Sequence, residues 1–159
     1  MNNFFKYITL FTFTFSSSIY ADVIEDLILP EGFKISIYAE NIKSARQIAE
    51  SKDGNIFVGS KSGDSVMALI DSNNDNYAET KITIASGLSN PTGVALKNGD
   101  LYFSEIDKIW IIKNIDEYMQ SGAYEELPLK EIYTDQLPSD SWHGWKWLGF
   151  GPDNSLYVP

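Results

Sequence analysis

The segment "IAESKDGNIFVGS", from Ile48 to Ser60, decides the fold because its pattern occurs three times in the chain. It reads as an apolar strand, a tight turn and a second apolar strand. The same unit returns as "VALKNGDLYFSE" from Val94 and as "LGFGPDNSLYVP" from Leu148. The sequence therefore predicts a repeated β-hairpin.

The three turns and their spacing indicate what the hairpins build. The turns carry Asp53-Gly54, Asn98-Gly99 and Asp153-Asn154, and such residues tolerate the positive φ that a two-residue hairpin needs. Equivalent positions are Ile56, Leu101 and Leu156, so the period is 45 and then 55 residues. Four strands in a period of about 40 to 50 residues are typical of a propeller blade.

The rest of the chain fits an all-β fold, a β-propeller of which about two and a half blades are present. One short helix is predicted in the longer period, over Asn114 to Gly122. "FKISIYAE", Phe33 to Glu40, is predicted to be the outermost strand of a blade that is otherwise missing. Because the sequence stops at Pro159 directly after a strand, we expect an incomplete fragment with little activity of its own. The remaining predicted strands are "ARQIAES", "NIFVGS", "DSVMALI", "TKITIAS", "TGVALK", "DLYFSE", "KIWIIK", "LKEIYT", "WKWLGFG" and "SLYVP".

The first 21 residues have the features of a secretory signal peptide. Basic Lys6 precedes an apolar run from Tyr7 to Phe15, and "SSSIYA" places the small residue Ala21 before a cleavage point. The apolar run is less than half of the about 20 residues that span a bilayer. We therefore predict a signal peptide over 1–21, a partial propeller domain over 22–159, and a periplasmic or secreted location.

Composition excludes several classes of function. Removal of residues 1–21 leaves 11 basic and 22 acidic residues, a net charge of −11, so nucleic acid is not an expected partner. The chain has no cysteine, which excludes disulfides and thiol chemistry. Glycine-rich phosphate-binding motifs and the serine nucleophile motif G-x-S-x-G are also absent.

Three segments resemble the glucose/sorbosone dehydrogenase family: "PEGFKISIYAENIKSARQIAESKDGNIFVGS", "GLSNPTGVALKNGDLYFSE" and "HGWKWLGFGPDNSLYVP". The resemblance runs from about Leu29 to Pro159 and covers the N-terminal part of such proteins. Asn154 stands where the family usually has glycine, a small change at a positive-φ turn.

The resemblance implies an exported propeller, six-bladed at full length, that oxidises a sugar with pyrroloquinoline quinone (PQQ). It assigns the role of general base to His143, the one histidine in the chain. It also implies a Ca²⁺ that polarises the quinone, with ligands expected beyond Pro159. The partners implied are a sugar substrate and a soluble or membrane-bound electron acceptor.

Elementary chemistry agrees with a histidine in this role. Oxidation of an alcohol removes the hydroxyl proton while a hydride leaves the same carbon. Imidazole, with an unperturbed pKa of about 6.5, is suited to accepting that proton and contributes roughly 10²- to 10⁴-fold in rate. The hydride acceptor must be a cofactor, because side chains cannot store a hydride.

The blade scheme predicts which residues share the site. Loops that lead into innermost strands meet at one rim, and they bring together Arg46, Thr92, His143 and Lys146. Arg46 and Lys146 are expected to contact an anionic cofactor, and Trp145 to stack on it. Asp140 is expected to orient the imidazole. Two further residues are considered at the sequence level: Trp147 as core packing, and Glu105 as a residue at the same rim.

Each of these residues has a simpler interpretation. A histidine among tryptophans is commonly a packed residue, "LPSDS" is also ordinary turn chemistry, and rim cations commonly face water. The whole propeller is alternatively a non-catalytic binding module for glycan or protein, or a Ca²⁺-dependent lactonase.

One loop, "DSNNDNYAE" from Asp71 to Glu79, begins like a calcium-binding EF-hand loop. The match then fails, because position six is Asn76 and position twelve is Ile82. We predict a solvated loop, separate from the redox site, and assign no metal ligands.

Overall fold

The structure is a computed structural model that describes residue 24 and residues 26–159. The predicted signal peptide, 1–21, lies outside the described residues. Residues 37–159 form one compact unit, and the described residues up to Ser36 belong to a separate one. In the described part of the latter, the amide of Phe33 donates to the carbonyl of Pro30 at 3.2 Å and closes a turn.

The first blade is a four-stranded antiparallel sheet in which neighbouring strands follow chain order. Strand β1 spans Ala45–Glu50, β2 spans Ile56–Ser60, β3 spans Val66–Ile70 and β4 spans Thr80–Ala85. This up-and-down order is the one that the repeat predicts.

The second blade repeats the arrangement. Strands β5 (Val94–Lys97), β6 (Asp100–Ser104), β7 (Ile109–Ile112) and β8 (Glu131–Thr134) form an antiparallel sheet in that order. Helix α1, Ile115–Ser121, is inserted between β7 and β8, as predicted.

A third blade is represented by one hairpin. Strand β9, Gly149–Phe150, pairs with β10, Leu156–Tyr157. Two four-stranded sheets and a hairpin confirm the all-β propeller fold with about two and a half blades.

Of the three predicted two-residue turns, the one at Asn98 and Gly99 is confirmed, because Lys97 pairs directly with Asp100. The other two predictions are wrong in length: the hairpins of the first and third blades have the five-residue loops 51–55 and 151–155, each with one positive-φ residue. Gly54 has φ 82°, Asn98 has φ 55°, Gly99 has φ 84° and Asn154 has φ 66°. These are left-handed conformations that asparagine and glycine accept at little cost.

Alternation along the strands produces the core between blades. Phe57 of β2 and Phe103 of β6 are fully buried in the same cluster, so they join the facing sides of the first two blades. Val58, the neighbour of Phe57, points to the other side of its sheet and packs with Leu69. Ala95 likewise packs with Leu148, between the second blade and the third hairpin.

The strand predicted over Phe33 to Glu40 is wrong, since the structure has no strand there. The part within the 37–159 unit lies on a sheet face: Tyr38, Ala39 and Ile42 pack on the cluster that contains Val58. One backbone bond, from Ala78 N to Tyr38 O at 2.7 Å, takes the place of a ladder. The apolar alternation therefore reflects a covering segment.

The strand predicted over Trp145 to Gly151 is also too long, because only Gly149 and Phe150 pair. The backbone groups before Gly149 bond to side chains of the other two blades. Lys146 O accepts from Ser104 Oγ at 3.0 Å, and Leu148 N and O both bond to the Gln47 amide. These side chains therefore make the hydrogen bonds that a neighbouring strand would otherwise make.

Candidate functional site

Strand direction divides the loops between two rims. The His143 rim, so named here, comprises the loops 61–65, 86–93, 105–108 and 135–148. The hairpin rim, at the opposite strand ends, comprises 51–55, 71–79, 98–99, 113–130 and 151–155. His143 therefore lies at the rim from which the chain enters the innermost strands β5 and β9.

His143 is solvent-exposed and has φ 56°. The turn around it is closed by the amide of Gly144, which donates to the carbonyl of Ser141 at 3.3 Å. Gly144 itself is buried, and a Cβ at that position would collide with the carbonyl oxygen of Asp140. The site therefore holds an accessible imidazole on a tightly packed backbone.

Two indoles contact the imidazole. The Trp145 ring lies 5.2 Å from the His143 ring, centroid to centroid, and the Trp142 ring lies 5.0 Å away, edge on. The ammonium of Lys61 lies 3.9 Å from the centroid of Trp145. Trp142 is 85% exposed, so most of its surface is open to a ligand.

A second cation–aromatic pair lies at the His143 rim. The guanidinium of Arg46 is 5.7 Å from the centroid of the Trp147 ring. The prediction that Trp147 is core packing is wrong, because this residue is 41% exposed and precedes β9. Arg46 is itself exposed, beside this ring.

The other predicted site residues, Lys146 and Asp140, are in the same loop as His143. The ammonium of Lys146 donates to the carbonyl of Gly144 at 2.7 Å, so it bonds to its own loop. Asp140 is exposed, and among the described residues no hydrogen bond joins it to His143. The expected orienting role of Asp140 is therefore not supported by a direct contact with His143 among the described residues.

Thr92 and Glu105 are bonded within the protein and do not face a ligand at the His143 rim. Thr92 is fully buried and its hydroxyl donates to Asn90 O at 3.3 Å, so it does not line an opening. Glu105 accepts from Trp110 Nε1 at 2.8 Å and from the Ser89 amide at 2.9 Å. One carboxylate oxygen of Glu105 is thus bonded within the second blade and the other to the loop that connects the first two blades.

Three residues at the site were missed at the sequence level: Lys61, Gln47 and Ser104. Lys61 follows β2 as Glu105 follows β6, so the repeat alone indicates its position at the rim. Gln47 Oε1 accepts from Val94 N at 3.3 Å and from Leu148 N at 3.1 Å. Its Nε2 donates to Leu148 O at 2.7 Å, and one side chain therefore joins the innermost strands of the first two blades to the residue that precedes β9.

Ser104 adds a second tether to the His143 loop. Its hydroxyl donates to Lys146 O at 3.0 Å and accepts from Gly93 N at 2.9 Å. Ser104 is fully buried. The loop that carries His143 is thus held from the first blade by Gln47 and from the second by Ser104.

The hairpin rim carries a cavity of about 450 Å³, at the opposite end of the strands from His143. It lies between the turns of the first two blades, and Lys52 and Asp116 form a 3.3 Å ion pair in its wall. The full lining is Glu50, Ser51, Lys52, Leu96, Lys97, Asn98, Gly99 and Asp116.

The Asp71 to Glu79 loop is at the hairpin rim too, as its place after β3 requires. Carboxylate oxygens of Asp71, Asp75 and Glu79 lie within 4.8 Å of one another. Asp71 accepts from the amides of Asp75 and Asn76, so much of its capacity is used by the loop itself. The Ser72 amide donates to Glu79 and lowers the pKa of that carboxyl.

Comparisons with known proteins agree on the fold. The chain is similar to the holo form of the pyranose dehydrogenase PQQ domain from Coprinopsis cinerea, with a TM-score of 0.56, 12% identity, and coverage of 70% of this chain and 26% of that one. It is also similar to a Trichoderma reesei carbohydrate-active enzyme of family AA12. The iodide structure of that enzyme gives a TM-score of 0.62 at 16% identity, covering 79% of this chain and 31% of that one.

The chain therefore has the fold of about a quarter to a third of these two solved structures. In sequence, the chain is 35% identical over 119 residues to an uncharacterized protein of Borreliella burgdorferi, a match that covers 74% of this chain and 30% of the relative. The chain thus spans less than a third of that relative. No protein-family model matches the sequence. Within the described residues, no helix is both long and apolar enough to cross a bilayer.

Proposed function

We propose that these blades belong to a PQQ-dependent oxidoreductase of the glucose/sorbosone dehydrogenase kind, which oxidises a sugar or related alcohol. The observation that carries the proposal is a lone, exposed imidazole between two indoles on the rim of a fold similar to a PQQ domain. Because the chain spans 30% of its curated relative, turnover is proposed for a whole protein that contains these blades.

The side chains around His143 fit a planar, anionic cofactor. Arg46 and Lys61 each lie against an indole, so the rim offers cations and flat apolar surfaces together. Of the residues proposed from sequence, Arg46 is best suited to a carboxylate of the cofactor, because its guanidinium makes paired hydrogen bonds. Trp145 offers the cofactor an aromatic surface. The ammonium of Lys146, which is bonded to Gly144 O, adds a positive charge within the His143 loop.

In this proposal His143 accepts the hydroxyl proton of the substrate. When bound, PQQ supplies the acceptor for the hydride that leaves the same carbon, and the substrate becomes a carbonyl compound. The exposed Trp142 offers a sugar ring a stacking surface next to the base. Asp140, in the same loop, would orient the imidazole only through a change in its side-chain position or through water.

The remaining parts of the proposal come from the sequence and the resemblance. The ligands of a Ca²⁺ that polarises the quinone are expected outside this chain. The carboxylates of Asp71, Asp75 and Glu79 lie at the hairpin rim, at the opposite end of the strands from His143, and are not proposed as its ligands. A predicted signal peptide supports a periplasmic or secreted location. A soluble or membrane-bound acceptor would reoxidise the cofactor.

The first experiment is a titration of the chain with PQQ, with and without Ca²⁺, followed by tryptophan fluorescence. We expect saturable quenching, and Arg46→Met should weaken binding by about tenfold to a hundredfold if its guanidinium bonds a cofactor carboxylate. Lys113→Met is the matched control, since it removes one exposed cation at the other end of the strands. His143→Gln should leave quinone binding nearly intact.

Other results would identify the alternatives. Saturable binding of a glycan without any quinone binding would favour a binding module, for which the exposed Trp142 is a ready stacking surface. Ca²⁺-dependent hydrolysis of lactones would favour a lactonase. Equal quinone affinity in wild type, Arg46→Met and Lys113→Met would refute a cofactor site at the His143 rim.

A further inference from the structure

We propose that Lys61 and Trp145 are positioning residues that fix the orientation of the His143 imidazole. This inference rests on the proposed function for its importance, although the contacts themselves do not depend on it. It gives Trp145 a different primary role from the cofactor contact expected from sequence.

The first support is the set of contacts that joins these side chains. The ammonium of Lys61 is 3.9 Å from the Trp145 centroid, a short cation–π distance. The Trp145 ring is in turn 5.2 Å from the imidazole, with the two planes inclined at 38°. A carboxylate commonly orients a catalytic histidine, but among the described residues none is bonded to His143. Ring contacts with Trp142 and Trp145 are the orienting contacts that the structure offers, and Trp145 is the indole that Lys61 holds in place.

The second support is the backbone at the two ends of this set. Among the described residues, nine residues other than glycine have positive φ, and seven of them are asparagine. The other two are His143, φ 56°, and Ser44, φ 52°, and both lie at the His143 rim. Such conformations cost non-glycine residues free energy and persist where surrounding contacts fix them.

Lys61 connects these two residues. Its amide donates to the carbonyl of Ser44 at 3.0 Å, and its ammonium lies over the indole that contacts His143. The backbone of the first blade thus fixes Lys61, Lys61 fixes Trp145, and Trp145 fixes the imidazole. The loop of His143 is already held at Lys146 and Leu148, so the side chain is the part that remains to be oriented.

The test is ¹H NMR of the His143 ring protons in the full chain without ligands, because a lone histidine gives unambiguous signals. In the wild type the nearby indoles should displace these signals from those of a free imidazole. Lys61→Met should move them toward the free values. Lys61→Arg should restore the wild-type signals, since guanidinium also stacks on aromatic rings. Trp145→Leu should have the largest effect.

The matched control is Lys130→Met, which removes a lysine that lies 5.0 Å from the centroid of another indole, Trp110. It should leave the His143 signals unchanged. Wild-type signals in Lys61→Met, or signals in Lys61→Arg equal to those in Lys61→Met, would overturn the proposal. The lysine variants keep the test valid if Trp145→Leu fails to fold.

The outcome can be separated from that of the proposed function. If the wild type fails to bind quinone while the NMR series behaves as expected, the positioning role stands and the redox assignment falls. If quinone binds but the NMR series is flat, only the positioning role is refuted. In a whole protein with turnover, Lys61→Met should lower kcat by up to about 10²-fold with little change in KM, as expected for a misplaced base.

Discussion

Replacing Gln47 by alanine is the sharpest test of how the blades are joined. The Gln47 amide makes three hydrogen bonds to backbone groups of the other two blades, at 2.7, 3.1 and 3.3 Å. Its partners, Val94 and Leu148, are 0% and 4% exposed, so water cannot replace the lost bonds without rearrangement. The substitution therefore removes bonds and also leaves buried backbone groups without partners.

The expected cost follows from the number of bonds. A typical intramolecular hydrogen bond contributes about 1 kcal/mol net, and a buried group left unpaired costs about 1–3 kcal/mol. Because the two longer bonds share one acceptor oxygen, we expect Gln47→Ala to lower the free energy of unfolding by about 3 kcal/mol. With a urea dependence of about 2 kcal/mol per molar, the midpoint should fall by about 1.5 M.

Urea unfolding followed by circular dichroism measures this change, and hydrogen exchange locates it. The amide of Leu148 should lose protection more than the amide of Phe57, which lies in the first blade and makes no bond to Gln47. Gln136→Ala is the control, because Gln136 is exposed and only its backbone amide is bonded. If the two variants unfold within about 0.5 kcal/mol of each other, Gln47 does not join the blades.

Two further predictions concern the His143 loop and the third hairpin. Gly144→Ala should destabilise the chain and shift the His143 signals in NMR, because the new Cβ collides with Asp140 O, whereas Gly149→Ala, with open space at its Cβ, should do neither. The Ser155 amide donates a hydrogen bond to Asp153 and lowers the pKa of its carboxyl. The ionised carboxylate therefore stabilises the folded chain at pH values above the ordinary carboxyl pKa of about 4. This stabilisation is lost as the pH falls through the lowered pKa of the folded state. Urea midpoints of wild type and Asp153→Asn should therefore differ near neutral pH and converge in acid; equal midpoints throughout would contradict this.

The repeat made most of the architecture predictable. Apolar alternation and the turn residues locate nine of the ten strands in residues 26–159 near their observed positions, because each hairpin is stabilised by contacts close in sequence. The exception is β9, which is shorter than predicted because Gln47 and Ser104 bond to the backbone groups of the residues just before it. The strand predicted over Phe33 to Glu40 is wrong for a different reason. Alternation shows that one side of a segment is apolar, but it does not distinguish an outer strand from a segment that packs on the face of a sheet.

The site was predictable in location but less so in detail. The blade scheme correctly places His143, Arg46 and Lys146 at one rim, since strand direction alone determines which loops share it. It does not show that Thr92 is buried, because that depends on how closely the first two blades approach. Nor does it show that both carboxylate oxygens of Glu105 are bonded to protein groups, as this requires the positions of Ser89 and Trp110.

The contacts that hold the His143 loop come from distant parts of the chain. Gln47 and Leu148 are 101 residues apart, and Ser104 and Lys146 are 42 apart. Because loop-closure entropy must be overcome before such contacts form, the His143 loop should order only after the first two blades have packed together. A variant that separates the blades should therefore disorder the candidate base even when each sheet remains folded. Loss of protection at the Gly144 amide in Gln47→Ala is the result that this order requires, because that amide bonds to Ser141 O within the loop and not to Gln47.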